Sequence, residues 1–561
     1  GGVDNTYTND TVGDNSYTNY DIVANTHCRE VIKANATTYS NYLADRTDDS
    51  RLIERIKHTV TSNCYILNPI IAPEDVKEDH KKYFNDFAYK EEYYSIPIIA
   101  RVNEAAKAGG ESIGPDDEWR VQVLWQDVPG RQIFFAESSG LKLWNYIAGT
   151  LKHNGTLDED NASYSTVYYG RGNSEKDGRV NIIVKKERNT QKTAGNVLIA
   201  LRKRKADATG YTSDDFSSIV WSWHLWVTDY DPDHAGTWTD GEFDKLTPGD
   251  DGNTAGNGQR DSRVYHYGYW GDKYQWIMDR HLGALGWRPN GVKSGKTYKA
   301  FGLYYQWGRK DPFPAQRLLT HGQKVGEIQL YGIRGGKANT EIKPNKATSG
   351  TIWDATKNPT NLYKKAVITT YAGSKYYWNH PSACKRQGTK SIFDPCPPGW
   401  EVTPTDAYRG LVTRTNGGSN TQVDDKDGKY AVKFLYGTEP GSTLPPAGLW
   451  ATQDQINDGA WVISASGKLN DGEPANPTYY PNSGFINESG MKEMTGLGDL
   501  WCADQKNDNS GSFLYLGYSI HDIRDDGKGL RSQFPVIVLK ASNAQNYFSK
   551  DLAFSVRCVK K

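Results

Sequence analysis

The chain has 561 residues with 67 basic and 67 acidic side chains, so its formal net charge is zero. This balance argues against a nucleic-acid-binding protein, because that class normally carries a basic excess. The length predicts about two to four domains, and no stretch approaches the roughly 18 apolar residues of a membrane-spanning helix, so no transmembrane segment is predicted.

The first 60 residues are predicted to form a polar leader followed by a helix. Residues 1–20 are rich in Asn, Asp, Thr, Gly and Tyr and almost lack aliphatic side chains, which is typical of a loose segment. Residues 27–58 have the best helical pattern in the chain, with Asp48 or Asp49 as the candidate cap. Because the sequence begins with Gly-Gly rather than Met, an upstream signal or lipid anchor is expected to have been removed.

Residues 61–232 are predicted to form a β-sandwich, because short strands with period-two patterning alternate there with turn-rich pieces. The strands are expected at residues 63–69, 119–127, 131–137, 180–187, 195–203 and 219–231.

The strand at residues 219–231 has two substantial faces. One face carries Trp221, Trp223, Leu225 and Val227, and the other carries Ser222, His224 and Trp226. A strand with two such faces is typical of a position inside a sheet. His224 is therefore interpreted as a hydrogen-bonded core histidine rather than as a catalytic base.

Residues 233–261 are predicted to be a linker or an elaborate loop at the boundary between two domains, since they are rich in Asp, Gly, Asn and Thr. Asp229, Asp231 and Asp233 alternate at its start, and alternating carboxylates supply the oxygen ligands that calcium prefers. The order of an EF-hand loop is not met. Solvated loop charge is the favoured interpretation, and a calcium site is the alternative.

No catalytic or nucleotide-binding motif is found in the remaining sequence, residues 262–561. The segment "GVKSGKT" has three residues between Gly291 and Gly295, whereas a phosphate-binding loop needs four. There is no HExxH and no GxSxG, and no pair of carboxylates can be singled out as an acid and base. The chain is therefore not predicted to be an enzyme.

The six cysteines have wide spacings and form no CxxC pair, which makes a zinc site improbable. Their even number fits at least one long-range disulfide in an exported protein, and six buried thiols are the alternative. Fifteen complete pairings are open to six cysteines, and the spacing alone does not choose among them.

Several long motifs occur in the order found in one group of surface proteins. The segments "WIMDRHLGALG", "GLYYQWGRKDPFP", "IFDPCPPGWEVTPTDAY" and "FSVRCVKK" resemble the lectin-like module of Bacteroidetes surface proteins, which is related to the Fibrobacter succinogenes major paralogous domain. The upstream "TSNCYILNP" and "WSWHLWVTDYDPD" resemble the β-sandwich module that precedes it. The resemblance covers about residues 60–561, counted by motif order.

This resemblance implies a mainly β fold with some α structure. An N-terminal fimbrillin-like β-sandwich domain over residues 61–232 is expected to be followed by a C-type-lectin-like α+β domain over residues 262–561. Members of the group are fimbrillin-type pilus subunits and other lipoproteins on the outer surface of Gram-negative bacteria. An extracellular location, contact with the membrane only through a removed N-terminal lipid anchor, and other pilus subunits as partners are therefore implied.

The resemblance also implies roles for particular residues. The cysteine of the "DPCPPGW" turn is expected to pair with that of the terminal strand, here Cys396 with Cys558. Cys384 with Cys502, and Cys28 with Cys64, are weaker candidate pairs. Arg280, Arg309 and Asp311 are expected to stabilise buried turns through charged hydrogen bonds, with a binding groove as the alternative.

Long loops carry binding in lectin-like folds, so the aromatic residues in or beside them are candidates for stacking on sugar rings. They are Trp450, Trp461, Tyr479 and Tyr480, with core packing as the alternative for each. Glu473 and Asn476 resemble the Glu-Pro-Asn calcium and sugar site of C-type lectins, although Ala475 breaks the spacing. Calcium is therefore a candidate ligand, and no other cofactor is predicted.

Three functions follow from these observations. The first is a cell-surface adhesin, in particular a pilus tip subunit that binds a host or bacterial glycan or protein through its C-terminal domain. The second is a structural pilus subunit assembled by strand exchange. The third is an enzyme of the formylglycine-generating type, which has a distantly related fold and would need Cys384 and Cys502 as a reactive pair.

Overall fold

The structure of the protein, a computed structural model, divides into two compact units. The first comprises Gly1–Asp229, Gln329–Thr340 and Thr356–Asn358, and the second Tyr230–Ile328, Glu341–Ala355 and Pro359–Lys561. The residues that it describes are 55–67, 91–129, 133–136, 144–147, 150–153, 167–176, 178–185, 195–228, 230, 232–235, 264–270, 273–286, 300–314, 324–333, 335–346, 351–363, 378, 390–404, 414–415, 432–436, 459–464, 478–481, 483–493, 498–507, 510–518, 523–525, 530–532, 535–541 and 550–561. They are mainly β with few helices, and none of the helices in these ranges is long and apolar enough to cross a membrane.

Two sheets make up most of the first unit. Its strands are β1 (Arg55–Lys57), β2 (Cys64–Leu67), β3 (Glu91–Pro97), β4 (Glu118–Gln126), β5 (Ile133–Ala136), β6 (Trp144–Ile147), β7 (Thr150–His153), β8 (Val167–Arg171), β9 (Arg179–Lys185), β10 (Gly195–Arg204) and β11 (Phe216–Val227). One sheet has the order β1-β3-β9-β5 and the other β2-β11-β10-β4-β8, while β6 and β7 form a separate pair. Helix α1 (Ile98–Lys107) follows β3, and a 3₁₀ turn (Ser213–Asp215) precedes β11.

Strand β11 confirms the prediction of a strand inside a sheet. It pairs antiparallel with β10 on one side and parallel with β2 on the other. Both of its faces are buried, since Trp221 and Trp223 on one and His224 and Trp226 on the other are at most 1% exposed. His224 is a core histidine, and its Nε2 lies 2.7 Å from Asn196 Oδ1.

The helix predicted at residues 27–58 is wrong where the structure describes it. Arg55–Lys57 forms β1, which pairs parallel with β3, and the rest of the predicted helix lies outside the described residues. Tertiary pairing overrides local helix propensity here. Conversely, α1 was not anticipated, although Ile98, Val102 and Ala105 recur at helical spacing and are buried.

Aromatic side chains connect the two sheets of the first unit. The ring of Phe135 on β5 lies 6.5 Å from that of Tyr168 on β8. Tyr168 in turn stacks at 6.0 Å on Trp119, whose indole occupies the space that a Cβ at Gly170 would need. Both sheets therefore contribute to one buried core.

A later segment of the chain also belongs to the first unit. In Gln329–Thr340, Tyr331 exchanges two backbone hydrogen bonds with Gln126, at N···O distances of 2.7 and 3.0 Å. Gln126 also donates through its side chain to the carbonyl of Gly332. The end of β4 thus has a hydrogen-bonded neighbour that is distant in sequence.

The described residues in the rest of the chain form further strands and two short helices. The strands are β12 (Val264–Trp270), β13 (Lys273–Met278), β14 (Tyr305–Gln306), β15 (Lys343–Lys346), β16 (Asn361–Tyr363), β17 (Trp400–Val402), β18 (Arg414–Thr415), β19 (Val432–Tyr436), β20 (Gly459–Ser464), β21 (Thr478–Pro481), β22 (Phe485–Ile486), β23 (Lys492–Glu493), β24 (Gly498–Asn507), β25 (Ser510–Tyr518), β26 (Ile523–Asp525), β27 (Leu530–Ser532), β28 (Pro535–Ala541), β29 (Ala553–Phe554) and β30 (Cys558–Lys560). The helices are α2 (Pro232–Ala235) and α3 (Ile352–Lys357), with a further 3₁₀ turn at Val325–Glu327.

Four of these strands, in the order β12-β13-β30-β17, form the sheet that contains the C-terminus. The core beside it is aromatic. Trp501 stacks on Phe554 with ring centroids 4.1 Å apart, and its indole N–H donates to the carbonyl of Tyr305 at 2.8 Å. Trp307 donates likewise to the carbonyl of Cys502, so both buried indoles have their polar atom satisfied.

Candidate functional site

The turn around Cys396 is attached to the last strand of the chain. Cys396 and Cys558 form the disulfide that the resemblance implies. Strand β17 follows the turn and pairs antiparallel with β30, with Val402 directly opposite Cys558. The disulfide is therefore a structural link within the second unit.

A buried carboxylate organises the same turn. Asp394 is fully buried and accepts hydrogen bonds from the backbone N–H groups of Cys396, at 2.8 Å, and of Val402, at 2.9 Å. The ammonium group of Lys390 donates to Asp394 at 2.6 Å and to the carbonyls of Cys396 and Trp400. Sequence analysis missed Lys390, because its contacts are mainly to carbonyl oxygens and leave no motif.

Arg557 lies at the centre of a second buried cluster. Its Nε donates to Nδ1 of His281 at 3.0 Å, and its guanidinium carbon lies 3.6 Å from the ring centroid of Tyr480. Burial, together with the charge of Arg557, holds the pKa of His281 well below its usual value, so the imidazole is neutral. Tyr480 is 2% exposed. It is a core residue in this cluster, which is the alternative to sugar stacking that the sequence left open.

Arg280 and Asp311 have the structural role that the sequence suggested. The guanidinium of Arg280 makes a fully buried ion pair with Asp279, with Nε 2.6 Å from Oδ1, and lies over the ring of Tyr230. Asp311 pairs with Lys310 at 2.7 Å, and both are buried. These charged groups are enclosed and do not line an open groove.

Arg309 is fully buried and connects three chain segments. Its Nη1 donates to Oε1 of Gln306 and to the carbonyl of Asn361, while Nη2 donates to the carbonyl of Pro359. The carbonyl of Arg309 itself accepts from the indole N–H of Trp378 at 3.0 Å. A planar guanidinium has donors in several directions, which suits it to this role.

Three of the predicted ligand-binding aromatics, Trp461, Tyr479 and Tyr480, belong to a three-stranded sheet, β19-β20-β21. Trp461 of β20 and Tyr479 of β21 are directly opposite residues, and Ala460 is opposite Tyr480. Trp450 lies outside the described residues.

Of the predicted calcium ligands, the structure describes Asp233 alone. It lies in α2, is exposed, and accepts a hydrogen bond from the indole N–H of Trp400 at 2.7 Å. Asp229, Asp231, Glu473 and Asn476 lie outside the described residues, so a calcium site that uses them stays a prediction. Within the part of the chain that the structure describes, no group of three or more His, Cys, Asp or Glu side chains could hold a metal ion.

The other candidate disulfides involve one described cysteine each. Cys64 and Cys502 are fully buried. Their predicted partners Cys28 and Cys384 lie outside the described residues. Both pairings therefore stay predictions.

Comparisons with known proteins reveal no relative of this chain. No protein-family model matches it, and no curated protein and no solved structure matches it either. The chain's own residues therefore have to support any proposal about its function.

Proposed function

We propose that this chain is a cell-surface adhesion protein, specifically a pilus tip subunit that binds a glycan or protein through residues 262–561. In this proposal the first unit holds a fimbrillin-like β-sandwich and the C-terminal part is a C-type-lectin-like domain. The motif order described above is the starting point, and the Cys396–Cys558 link between the "DPCPPGW" turn and the last strand agrees with it.

The observation that carries the binding role is the cross-strand pair Trp461–Tyr479. Directly opposite residues on neighbouring strands are neighbours, and in this proposal the two aromatic side chains form one binding surface. Aromatic rings combine a large apolar area with polar edges, which suits the apolar faces of sugar rings. Tyr480, which is buried against Arg557, connects this sheet to the core and would hold the pair in place.

The proposal includes a location and partners. The protein would lie on the outer surface of a Gram-negative bacterium, attached to other pilus subunits or through an N-terminal lipid anchor. A tip position fits best, because a large lectin-like domain after the β-sandwich would obstruct further polymerisation. Calcium would bind at the acidic residues near Asp229 or Glu473.

A glycan array with the whole chain, run with calcium and with a chelator, tests this function. The wild-type protein is expected to give a specific glycan signal that Trp461→Ala abolishes. The control is Trp353→Ala, the same change at a partly buried tryptophan of α3 whose ring lies tilted against that of Phe393, with centroids 5.2 Å apart. An empty array in both conditions, or equal loss in both variants, would contradict glycan binding through the Trp461–Tyr479 pair.

A structural subunit that assembles by strand exchange is the second candidate. It is favoured by β1, a three-residue strand that follows the N-terminal segment and lies, among the described residues, at the edge of its sheet beside β3. An edge strand of this kind can be replaced by a strand from another chain. Light scattering after size exclusion tests this: ordered polymers of the wild type that Ile56→Pro prevents would support strand exchange, and a strict monomer would oppose it.

A further inference from the structure

Two arginines lie next to each other on the five-stranded sheet of the first unit. Arg120 of β4 and Arg202 of β10 are directly opposite residues in antiparallel strands, so both side chains leave the same face of the sheet. Like charges at such positions destabilise a sheet. Burial and the charge of Arg120 lower the pKa of Arg202, but arginine stays protonated in proteins. The arginine pair therefore concentrates two positive charges.

Neighbouring basic residues on the same strand are neutralised, in contrast to the arginine pair. Lys203 forms an ion pair with Asp117 at 2.9 Å, and Arg204 forms one with Glu118 at 3.2 Å. Among the described residues, no carboxylate contacts either member of the arginine pair. Two cations without an anion are unusual in a region where the adjacent cations each have one.

The two guanidinium groups differ in how they are held. Arg120 donates through Nε and Nη2 to Oε1 of Gln122, and Nη2 also lies 3.3 Å from Oγ of the exposed Ser213. Its guanidinium carbon lies 5.0 Å from the ring centroid of Phe216. Arg202, in contrast, is partly exposed, and its Nε is buried without a hydrogen-bond partner. Hydrogen bonds thus hold the guanidinium of Arg120 in place, whereas the Nε–H of Arg202 has no acceptor.

The backbone is irregular at the same place. The register between β10 and β11 shifts on both sides of Arg202, which is opposite Ile219, while Leu201 is opposite Trp221 and Arg204 is opposite Phe216. Bulges of this kind re-aim side chains and occur frequently beside binding sites. Here the bulge lies at Arg202, the arginine whose Nε has no hydrogen-bond partner.

We propose that the arginine pair binds a small oxyanion, namely a carboxylate, sulfate or phosphate group. Such a group would accept two hydrogen bonds from one guanidinium fork and neutralise the repulsion between both. The anion would be free in solution or part of an acidic saccharide, since both present the same chemistry. This site lies in the first unit and is independent of the aromatic pair proposed to bind glycans.

Sulfate binding by the whole chain tests the proposal. Isothermal titration calorimetry with sodium sulfate, at constant ionic strength set by sodium chloride, is expected to show saturable binding to the wild type. Arg202→Gln is expected to weaken the affinity for sulfate at least about tenfold, because charged hydrogen bonds are lost. The control Lys203→Gln removes the same charge at the next position, and its affinity is expected to stay within about twofold. A sulfated disaccharide in a parallel titration shows whether a saccharide-borne sulfate binds more tightly than the free ion.

A second measurement covers the case in which Arg202→Gln folds poorly. Arg202→Lys keeps the charge but lacks the fork, so it is expected to bind sulfate several-fold more weakly than the wild type. In chloride alone, Arg202→Gln is expected to melt at a higher temperature than Lys203→Gln, because it relieves repulsion instead of breaking an ion pair. Absence of saturable sulfate binding to the wild type, or equal loss in Arg202→Gln and Lys203→Gln, would overturn the proposal.

Discussion

Cys396 and Cys558 form a disulfide although 162 positions of the sequence separate them. In addition, β17, which follows Cys396, pairs with β30, which begins at Cys558. The turn before β17 is therefore attached to the C-terminal strand twice, once covalently and once through backbone hydrogen bonds. The covalent link acts mainly by restricting the unfolded chain, since it closes a very long loop there.

Removal of this disulfide is expected to destabilise the protein strongly. The double variant Cys396→Ala/Cys558→Ala should lower the free energy of unfolding by up to about 5 kcal/mol, because the entropy of the unfolded chain rises when so long a loop is opened. Urea unfolding followed by tryptophan fluorescence measures the change. Dithiothreitol should lower the stability of the wild type by a similar amount.

The double variant also serves as the control for the reductant. If the effect of dithiothreitol on the wild type comes from reduction of Cys396–Cys558, the reductant should leave the stability of the double variant unchanged. A remaining effect of the reductant would indicate a second disulfide, for which Cys384–Cys502 and Cys28–Cys64 are the candidates. A wild type insensitive to dithiothreitol under unfolding conditions would contradict the expected contribution of the disulfide.

Asp394→Asn tests the buried carboxylate of the turn. The substitution removes the negative charge beside Lys390 and places an N–H₂ group near the backbone N–H of Cys396 or of Val402. Breaking one partner of a buried ion pair costs about 3–5 kcal/mol, so the urea midpoint should fall markedly.

The matched control for Asp394→Asn is Asp116→Asn. Asp116 pairs with Arg171 at 3.4 Å, but its side chain is 89% exposed. Exposed ion pairs contribute little, so this variant should stay within about 1 kcal/mol of the wild type. Equal effects of the two substitutions would mean that Asp394 does not organise the turn.

The strands of the first unit were predictable where their pattern is local. β4, β10 and β11 carry runs of apolar and aromatic residues, and those runs are strands in the structure. β1 was not predictable in this way, because its three residues are strand only through pairing with β3. The irregular register at Arg202 also leaves no signal in the sequence, since it depends on where β11 gains residues relative to β10.

The candidate site was predictable in part. The pairing of Cys396 with Cys558 followed from the motif order, whereas Lys390 and its carbonyl contacts did not, because a single lysine has no distinctive spacing. The sequence also could not place Tyr480 in the core. The contact with Arg557 that buries its ring comes from a distant part of the chain.

Gly302 is expected to be essential for the packing around His281. Its φ is +71°, and a Cβ there would lie 2.7 Å both from Cβ of His281 and from the carbonyl oxygen of Leu282. Gly302→Ala should therefore lower the free energy of unfolding by about 3 kcal/mol, from backbone strain and steric overlap. Gly336→Ala is the control, since a Cβ there meets no atom within 4 Å. Its effect should stay within about 0.5 kcal/mol, and a Gly302→Ala variant as stable as this control would contradict the structure.

Two buried histidines, His224 and His281, and the partly buried His58 should make the protein less stable in acid. Burial lowers the pKa of His58 to about 4, with a contribution from the charge of Arg179, and that of His224 to about 3. The pKa of His281 is also held well below 6.5, by burial and Arg557. In the unfolded chain each imidazole takes up a proton below about pH 6.5, whereas in the folded protein it stays neutral.

Stability should therefore be constant above about pH 6.5 and should fall as the pH decreases toward 4. Each histidine contributes a loss of up to about 1.4 kcal/mol per pH unit in this window, because the unfolded state binds the extra proton. The measurement is the urea unfolding free energy between pH 7.5 and 5. His281→Gln keeps an acceptor for Nε of Arg557 and removes one titrating group, so its pH profile should be shallower by about that amount. A variant profile parallel to that of the wild type would show that His281 is not held neutral in the core.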